Sequence, residues 1–446
     1  MCIRDRNRTN LWIIIEIAEE LKRLKTSKKY FSKKTDFTRD RVFTFETVFH
    51  LIADLPRLSL SIEIEKGLKE INKIIGKREE GTKGGFCKAR NKILPKLFKV
   101  INEKLLALFY SLSGQVIPKR WKGFIIRGID GSIIDIVDTA ENRLEFGTQK
   151  NQYGLVVQAR MMIGYDVMNK VITHSHLGNL SIGEGNVVKK WISEMKTDEL
   201  NIYDRLFPGV SFQYLHHYYN TPYVMRCKLG HNKQVADFVK SKKKERTETW
   251  KLNNTAITEL KEMGLEVNKE TTIRVRLIRV ELDNGEVEVL LTSLVDNKKY
   301  PHKIFKGLYF KRWGVEIVNG FLKNTLQIEI TSGRKVNTIY QDFYATIFRA
   351  NIQALIELDC EPKLQAINKR RKNNYAINRT AAAGNLKRKL PQLILGNAPQ
   401  IVYEKLINVF IKNIEPVRPD RMFPRIKRAQ KLSGKYKPLK NYKRAI

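Results

Sequence analysis

Acidic residues are scarce in this chain: 46 Asp and Glu stand against 83 Lys and Arg in 446 residues, a formal net charge of +37 at pH 7. A field of that sign favours polyanions, which it attracts at long range. Nucleic acid is the expected partner. An anionic membrane surface is the rival, and a merely basic protein the plain alternative. Cysteine is scarce too. Cys2, Cys87, Cys227 and Cys360 are scattered and form no C-x2-C pair, so neither a zinc site nor a disulfide framework is expected. A reducing cytoplasm is the default for such a chain. Long apolar runs are missing: none approaches the ~18 to 20 residues that a bilayer span needs. The longest near the start, residues 11–17, is too short and has no small-residue cleavage site, so secretion is not expected. Absent as well are a phosphate-binding P-loop, a dinucleotide fingerprint and a Ser nucleophile elbow, which leaves nucleotide hydrolysis and acyl transfer without support. His174 and His176, and the pair His216 and His217, have no carboxylate or Cys completing a ligand set and read as core or surface residues.

What the chain does have is a spaced set of reactive side chains. Tyr309, Arg312, Glu316 and Lys323 stand at Y-x2-R-x3-E-x6-K within residues 306–324. At 100° per residue the four share one stripe of a single helix. Phe310, Ile317 and Phe321 fall on a separate apolar face that is expected to pack into a core. A carboxylate beside an aromatic ring and two cations suits a metal ion and a phosphodiester together: oxygen for the metal, cations for phosphate oxygens. Taken alone, the helix could equally be a solvated face with an i,i+4 ion pair.

Two further carboxylates change that balance. Residues 124–129 read as a buried strand ended by Asp130, with Gly131 permitting a sharp turn into a second strand at residues 133–137. Residues 200–203 form a second apolar strand, ended by Asp204, with Pro208-Gly209 marking a loop. A lone Asp in a loop is ordinarily a turn or cap residue. Two strand-end carboxylates and a helical one together could bind a metal pair.

In these blocks the chain resembles the DDE transposases, and in particular the insertion-sequence group marked by a YREK signature. Asp138, Asn142, Phe146 and Gly147 fit its D-T-x-x-N-x-x-x-F-G pattern after the first acid, and Arg205 follows the second. Residues 290–296 and 342–356 are also family-like, so the resemblance covers roughly residues 40–385. It implies an α/β fold: a ribonuclease-H-like catalytic core with a β-rich insertion, flanked by helical N- and C-terminal regions. It implies Asp130, Asp204 and Glu316 as catalytic metal ligands for two Mg²⁺ ions, for which Mn²⁺ can substitute. It further implies Tyr309, Arg312, Lys323 and Arg205 as DNA-contacting residues, and double-stranded DNA as partner, both element ends and target. A homodimer in the synaptic complex and a prokaryotic, nucleoid-associated cytoplasmic location also follow from it. Two rivals remain: an inactive descendant that binds DNA without cutting, and a general basic RNA-binding protein.

The organisation expected along the chain has three parts. Residues 1–115 form a helical DNA-binding region, with a Gly/Lys-rich loop over residues 76–85. The opening residues 1–6 fit nothing in the family pattern. Residues 116–335 form the core, in which strands at 155–164, 170–174 and 223–227 accompany a helix at 183–195. The 111 residues between Asp204 and Glu316 exceed what the bare fold needs, so a β-rich insertion is placed at about 232–302. Its clearest part is a hairpin, 273–282 and 287–294, around Asp283-Asn284-Gly285. Trp250 and Tyr300 are candidates to stack a displaced base, though packing inside the insertion is the stronger reading. Residues 336–446 form a helical region with a basic tail. From residue 361 onward 22 Lys and Arg face 4 Asp and Glu, with Tyr375, Tyr403, Tyr436 and Tyr442 interleaved. The last stretch lacks apolar periodicity and is expected to order only on DNA.

Overall fold

The computed structural model describes residues 10–39, 41–76, 80–111, 117–151, 154–387 and 389–418. The opening residues 1–6 and the last stretch of the basic tail, 419–446, with Tyr436 and Tyr442, lie outside the described residues. The chain divides into two units: a sheet unit of Lys119–Ile133 and Arg160–Asn319, and a helical unit of Met1–Pro118, Ile134–Ala159 and Gly320–Ile446. No helix among the described residues is long and apolar enough to cross a membrane.

One sheet holds nine strands: β1 (Ile125–Asp135), β2 (Thr148–Asn151), β3 (Gly154–Asp166), β4 (Val171–Asn179), β5 (Glu199–Tyr203), β6 (Tyr223–Cys227), β7 (Glu245–Lys251), β8 (Thr272–Glu281) and β9 (Val287–Thr292). Their order is β2-β3-β1-β5-β6-β9-β8-β7, with β4 also on β3. The three central strands β1, β5 and β6 run parallel, and such strands are buried on both faces. Period-2 alternation sorts their side chains accordingly. Ile126, Leu200, Ile202 and Val224 join one core with Phe305, Leu308 and Tyr309. Ile129, Tyr203, Tyr223 and Met225 join another with Val188, Phe212 and Leu215. Helices Glu184–Ile192 and Val210–Tyr218 therefore cover one face, and helix Phe305–Phe310 the other.

One sequence expectation needs correction here. No turn occurs at Gly131: β1 runs unbroken through Asp130 to Asp135, and Gly131 does not take a positive φ. The hairpin around Asp283-Asn284-Gly285 forms as expected, with Glu281 opposite Val287 and Gly285 at φ +81°. β9 pairs antiparallel with β6, so the hairpin and β7 lengthen the central sheet.

The helical unit is organised round the 33-residue helix Val336–Asn368. Its residues 338–360 are buried on nearly all sides, whereas its last two turns are partly exposed. Several of its polar residues meet partners: Asn351 Nδ2 donates to Asn102 Oδ1 at 2.8 Å, and Arg349 Nη1 to Asp54 Oδ1 at 3.2 Å. Phe49 and Phe98 stack at 4.9 Å nearby. The expected loop over residues 76–85 is shorter than the Gly/Lys content suggested. A helix, Lys83–Arg90, begins inside it because Thr82 Oγ1 accepts from the Gly85 N–H at 3.1 Å, a cap that satisfies a free helix-start donor.

Candidate active site

The register of the parallel strands sets the first two acids side by side. Ile125 pairs with Glu199 and Gly128 with Ile202. Carried two residues further, the same register sets Asp130 opposite Asp204, which leaves β5 at its C-terminal end. Asp130 shares its face of β1 with Ile126 and Gly128, the face that the Phe305–Phe310 helix covers. Gly128 lets the next helix, Trp313–Gly320, come close: a Cβ there would lie 3.3 Å from Val315 Cβ and 3.5 Å from the Arg312 carbonyl oxygen. Glu316 and Asn319 ride on that helix. Asn319 Nδ2 donates to Asp130 Oδ2 at 3.1 Å, and Arg312 Nη2 donates to Glu316 Oε1 at 2.7 Å.

Electrostatics show the same convergence. Burial pushes the Asp130 carboxyl up to about 6; Arg312 opposes the rise, and Glu316, Glu184 and Asp204 add to it. Burial also pushes the Tyr309 phenol up, with Arg312 acting against it and Asp204 for it. Burial pulls the Arg312 guanidinium down. Tyr309, the hydrogen bond to Glu316 and Asp204 outweigh that, so its affinity for its proton rises overall. The guanidinium lies over the Tyr309 ring at 5.9 Å and the Trp313 ring at 5.5 Å. Tyr309 Oη, Arg312 Nε and Asn319 Oδ1 are all buried without a hydrogen-bond partner among the described residues. Buried polar atoms are nearly always satisfied, so three at one place mark a site that a polar ligand completes.

The four signature residues do not share one regular helix. Phe305–Phe310 ends, Trp313–Gly320 begins, and Lys323 lies in a π-helical turn, Phe321–Thr325, that belongs to the helical unit. The faces are reversed as well. Tyr309 and Arg312 are buried, whereas Phe310 is 70 % exposed and Ile317 66 % exposed; of the expected apolar face only Phe321 is buried. The aromatic and cationic side chains thus turn inward toward the acids. Arg205 is exposed, and its backbone N–H donates to Asp204 Oδ1 at 2.6 Å. Trp250 and Tyr300 are buried; Trp250 Nε1 donates to Glu248 Oε2 at 2.7 Å, which matches the packing reading.

Two neighbours of Asp130 carried no local signal strong enough to find. Asn319 sits three residues after Glu316, on the same side of the helix. Glu184 opens its helix and pairs with Arg160 at 2.8 Å. A Cβ on Gly131 would come within 2.4 Å of Glu184 Oε1 and 2.8 Å of Met162 Sδ. Gly131 is therefore there for close approach of Glu184, not for a turn.

Among the described residues no three His, Cys, Asp or Glu side chains already close round one point as a metal cage. The donor chemistry nonetheless suits a hard cation. The acids offer only oxygen, and Mg²⁺ takes one or two carboxylates and fills its shell with water and phosphate oxygens.

The chain matches, over residues 121–352, the family described as transposase DDE domain. Among solved structures it is similar to a piggyBac transposase synaptic complex with hairpin DNA, determined by cryo-EM. That match has a TM-score of 0.43 and 11 % identity, covering 92 % of this chain and 87 % of the other. None of the curated proteins matches.

Proposed function

The chain belongs to the transposase DDE-domain family, and from that premise we propose that it is a DNA transposase of the insertion-sequence kind, the group with the YREK signature. It binds the terminal inverted repeats of its element and carries out metal-dependent strand cleavage and transfer. The observation that carries this reading is the placement of Asp130 and Asp204 by parallel register, under a helix that brings Glu316 to the same Asp130 carboxylate. The strand order β4-β3-β1-β5-β6 supports a ribonuclease-H-like core.

In this mechanism Asp130, Asp204 and Glu316 would hold a pair of Mg²⁺ ions, with Mn²⁺ able to substitute. A metal pair bound there would supply Lewis-acid activation for the attacking oxygen and charge stabilisation for the leaving oxygen of an in-line displacement. Arg312 gives its guanidinium to a phosphate oxygen, a charge-assisted bond that fixes geometry as well as charge. Lys323 neutralises a neighbouring phosphate, Tyr309 positions the strand, and the exposed Arg205 contacts the DNA backbone. No covalent enzyme intermediate is needed.

The helical residues 1–115 contact the element ends, and the β-rich insertion at about 232–302 holds the cleaved end. Residues 336–446 with their basic tail add phosphate contacts, and a homodimer pairs the two ends. The decisive test is nicking of a supercoiled plasmid that carries the sequences flanking the gene. The full-length chain should cut it with Mg²⁺ and not with EDTA. Binding without cutting would make the chain an inactive DNA-binding descendant, and preference for RNA would make it a basic RNA-binding protein.

A further inference from the structure

We propose that Asn319 is a positioning residue of this site: one arm of its amide orients the Asp130 carboxylate, and the other accepts a hydrogen bond from water held at the acids. The proposal rests on the reading of Asp130 as a metal ligand given above. Asn319 is 8 % exposed, and its Nδ2 donates to Asp130 Oδ2 at 3.1 Å. That bond fixes which way the amide faces, because turning it over would set an oxygen against the carboxylate. Its Oδ1 is then buried, and it has no donor among the described residues.

The nearest acids cannot supply that donor, since ionised carboxylates only accept. A water on a divalent cation can, because the cation polarises its O–H bonds. An outer partner of this kind both orients a metal ligand and tunes it. The same position is one helical turn from Glu316, so the residue that aligns one ligand travels with another on a single rigid element. This also explains why the helix must approach β1 as closely as Gly128 allows.

The test uses the full-length chain with Asn319→Leu, which keeps the branched shape and removes both polar arms, and Asn319→Ala as a second variant in case the larger side chain misfolds. Mn²⁺ is the probe, and its affinity without DNA is read from the electron paramagnetic resonance of the free ion. Loss of an outer partner weakens metal binding by about 10- to 100-fold, and that is the expected result. Plasmid nicking should lose kcat with KM for DNA unchanged, while the melting curve in EDTA stays that of the parent. Mn²⁺ affinity within about twofold of the parent in a folded variant would overturn the proposal and leave Asn319 a packing residue. Asp130→Asn run in parallel separates the two readings. If that variant keeps both Mn²⁺ binding and nicking, the assignment of the acids fails, and the role of Asn319 with it. If it loses both while the Asn319 variants do not, only the role of Asn319 fails.

Discussion

Two buried arginines, one in each unit, use their charge differently. Arg90, in the helical unit, gives each of its side-chain nitrogens to an oxygen: Nε to Gln341 Oε1 at 2.9 Å, Nη1 to Ser332 Oγ, and Nη2 to Asp342 Oδ1 at 3.0 Å. Arg312, in the sheet unit, is nearly as deeply buried, yet among the described residues its Nε has no partner and Tyr309 Oη beside it has none either. A closed network is complete without a ligand, and its role is to fix a fold. An open one keeps polar atoms out of water for something that has still to arrive.

If that contrast is right, the largest effect in the molecule comes from the open side. Asp130→Asn, Asp204→Asn or Glu316→Gln should each lower Mg²⁺-dependent nicking by at least about a thousandfold, because each removes a metal ligand from a unit that acts together. Gel-shift affinity for DNA should stay within a few-fold, since phosphate contacts elsewhere supply most of it. Parent-level cutting by any one variant would take that residue out of the set.

The strands that lead to Asp130 and Asp204 could be found in the sequence, but their arrangement could not. Asp130 and Asp204 follow apolar runs whose local pattern is a strand, and β6 appears at Tyr223–Cys227 where its composition put it. The Asn-Gly turn is a two-residue signal and needs no tertiary context. Other features are set by long-range packing. The 74-residue register offset that pairs β1 with β5 has no local trace. Neither does the break between Phe305–Phe310 and Trp313–Gly320, which turned the expected apolar face outward. Gly131 shows the limit most clearly: its flexibility suggested a turn, whereas Glu184 needed the space of its missing side chain.

The second test exchanges the two arginines for methionine. Arg90→Met takes the guanidinium away from the buried Asp342 carboxylate, and breaking a buried pair typically costs about 3 to 5 kcal/mol. Urea unfolding should show that loss. Arg312→Met should do the reverse, abolishing efficient nicking at little expense in stability, because it removes a buried group that is only partly satisfied. Equal stability losses in the two variants would erase the distinction between closed and open networks.

A smaller effect separates two histidines. Both are fully buried and burial pulls both down to about 3. His216, in the sheet unit, is bonded at both ring nitrogens: Nε2 to Tyr203 Oη at 2.9 Å and Nδ1 to Thr221 Oγ1 at 2.7 Å. His216→Leu should therefore destabilise by about 1 to 3 kcal/mol, the cost of leaving buried partners unpaired. The measurement is urea unfolding at pH 7. No loss would mean that water can replace the ring.

His50 reverses that sign. It lies in helix Phe45–Ala53 against Phe49, 5.3 Å between ring centroids, and neither ring nitrogen has a partner among the described residues. Leu there should be neutral or stabilising by about 1 kcal/mol at pH 7, because an apolar side chain leaves no polar atom unsatisfied. The pH dependence adds a second reading. The ring binds its proton near the ordinary 6.5 when unfolded and only near about 3 when folded. Its contribution is therefore fully present above pH 6.5 and is lost as pH falls toward 3. Between pH 7 and pH 5 the parent should lose about 2 kcal/mol relative to His50→Leu, from one proton taken up on unfolding. His216 stays in both proteins and titrates identically, so the difference between their urea midpoints isolates His50. A difference that does not widen on acidification would mean that the folded ring accepts a proton, and the pocket round it would then have to contain an acceptor.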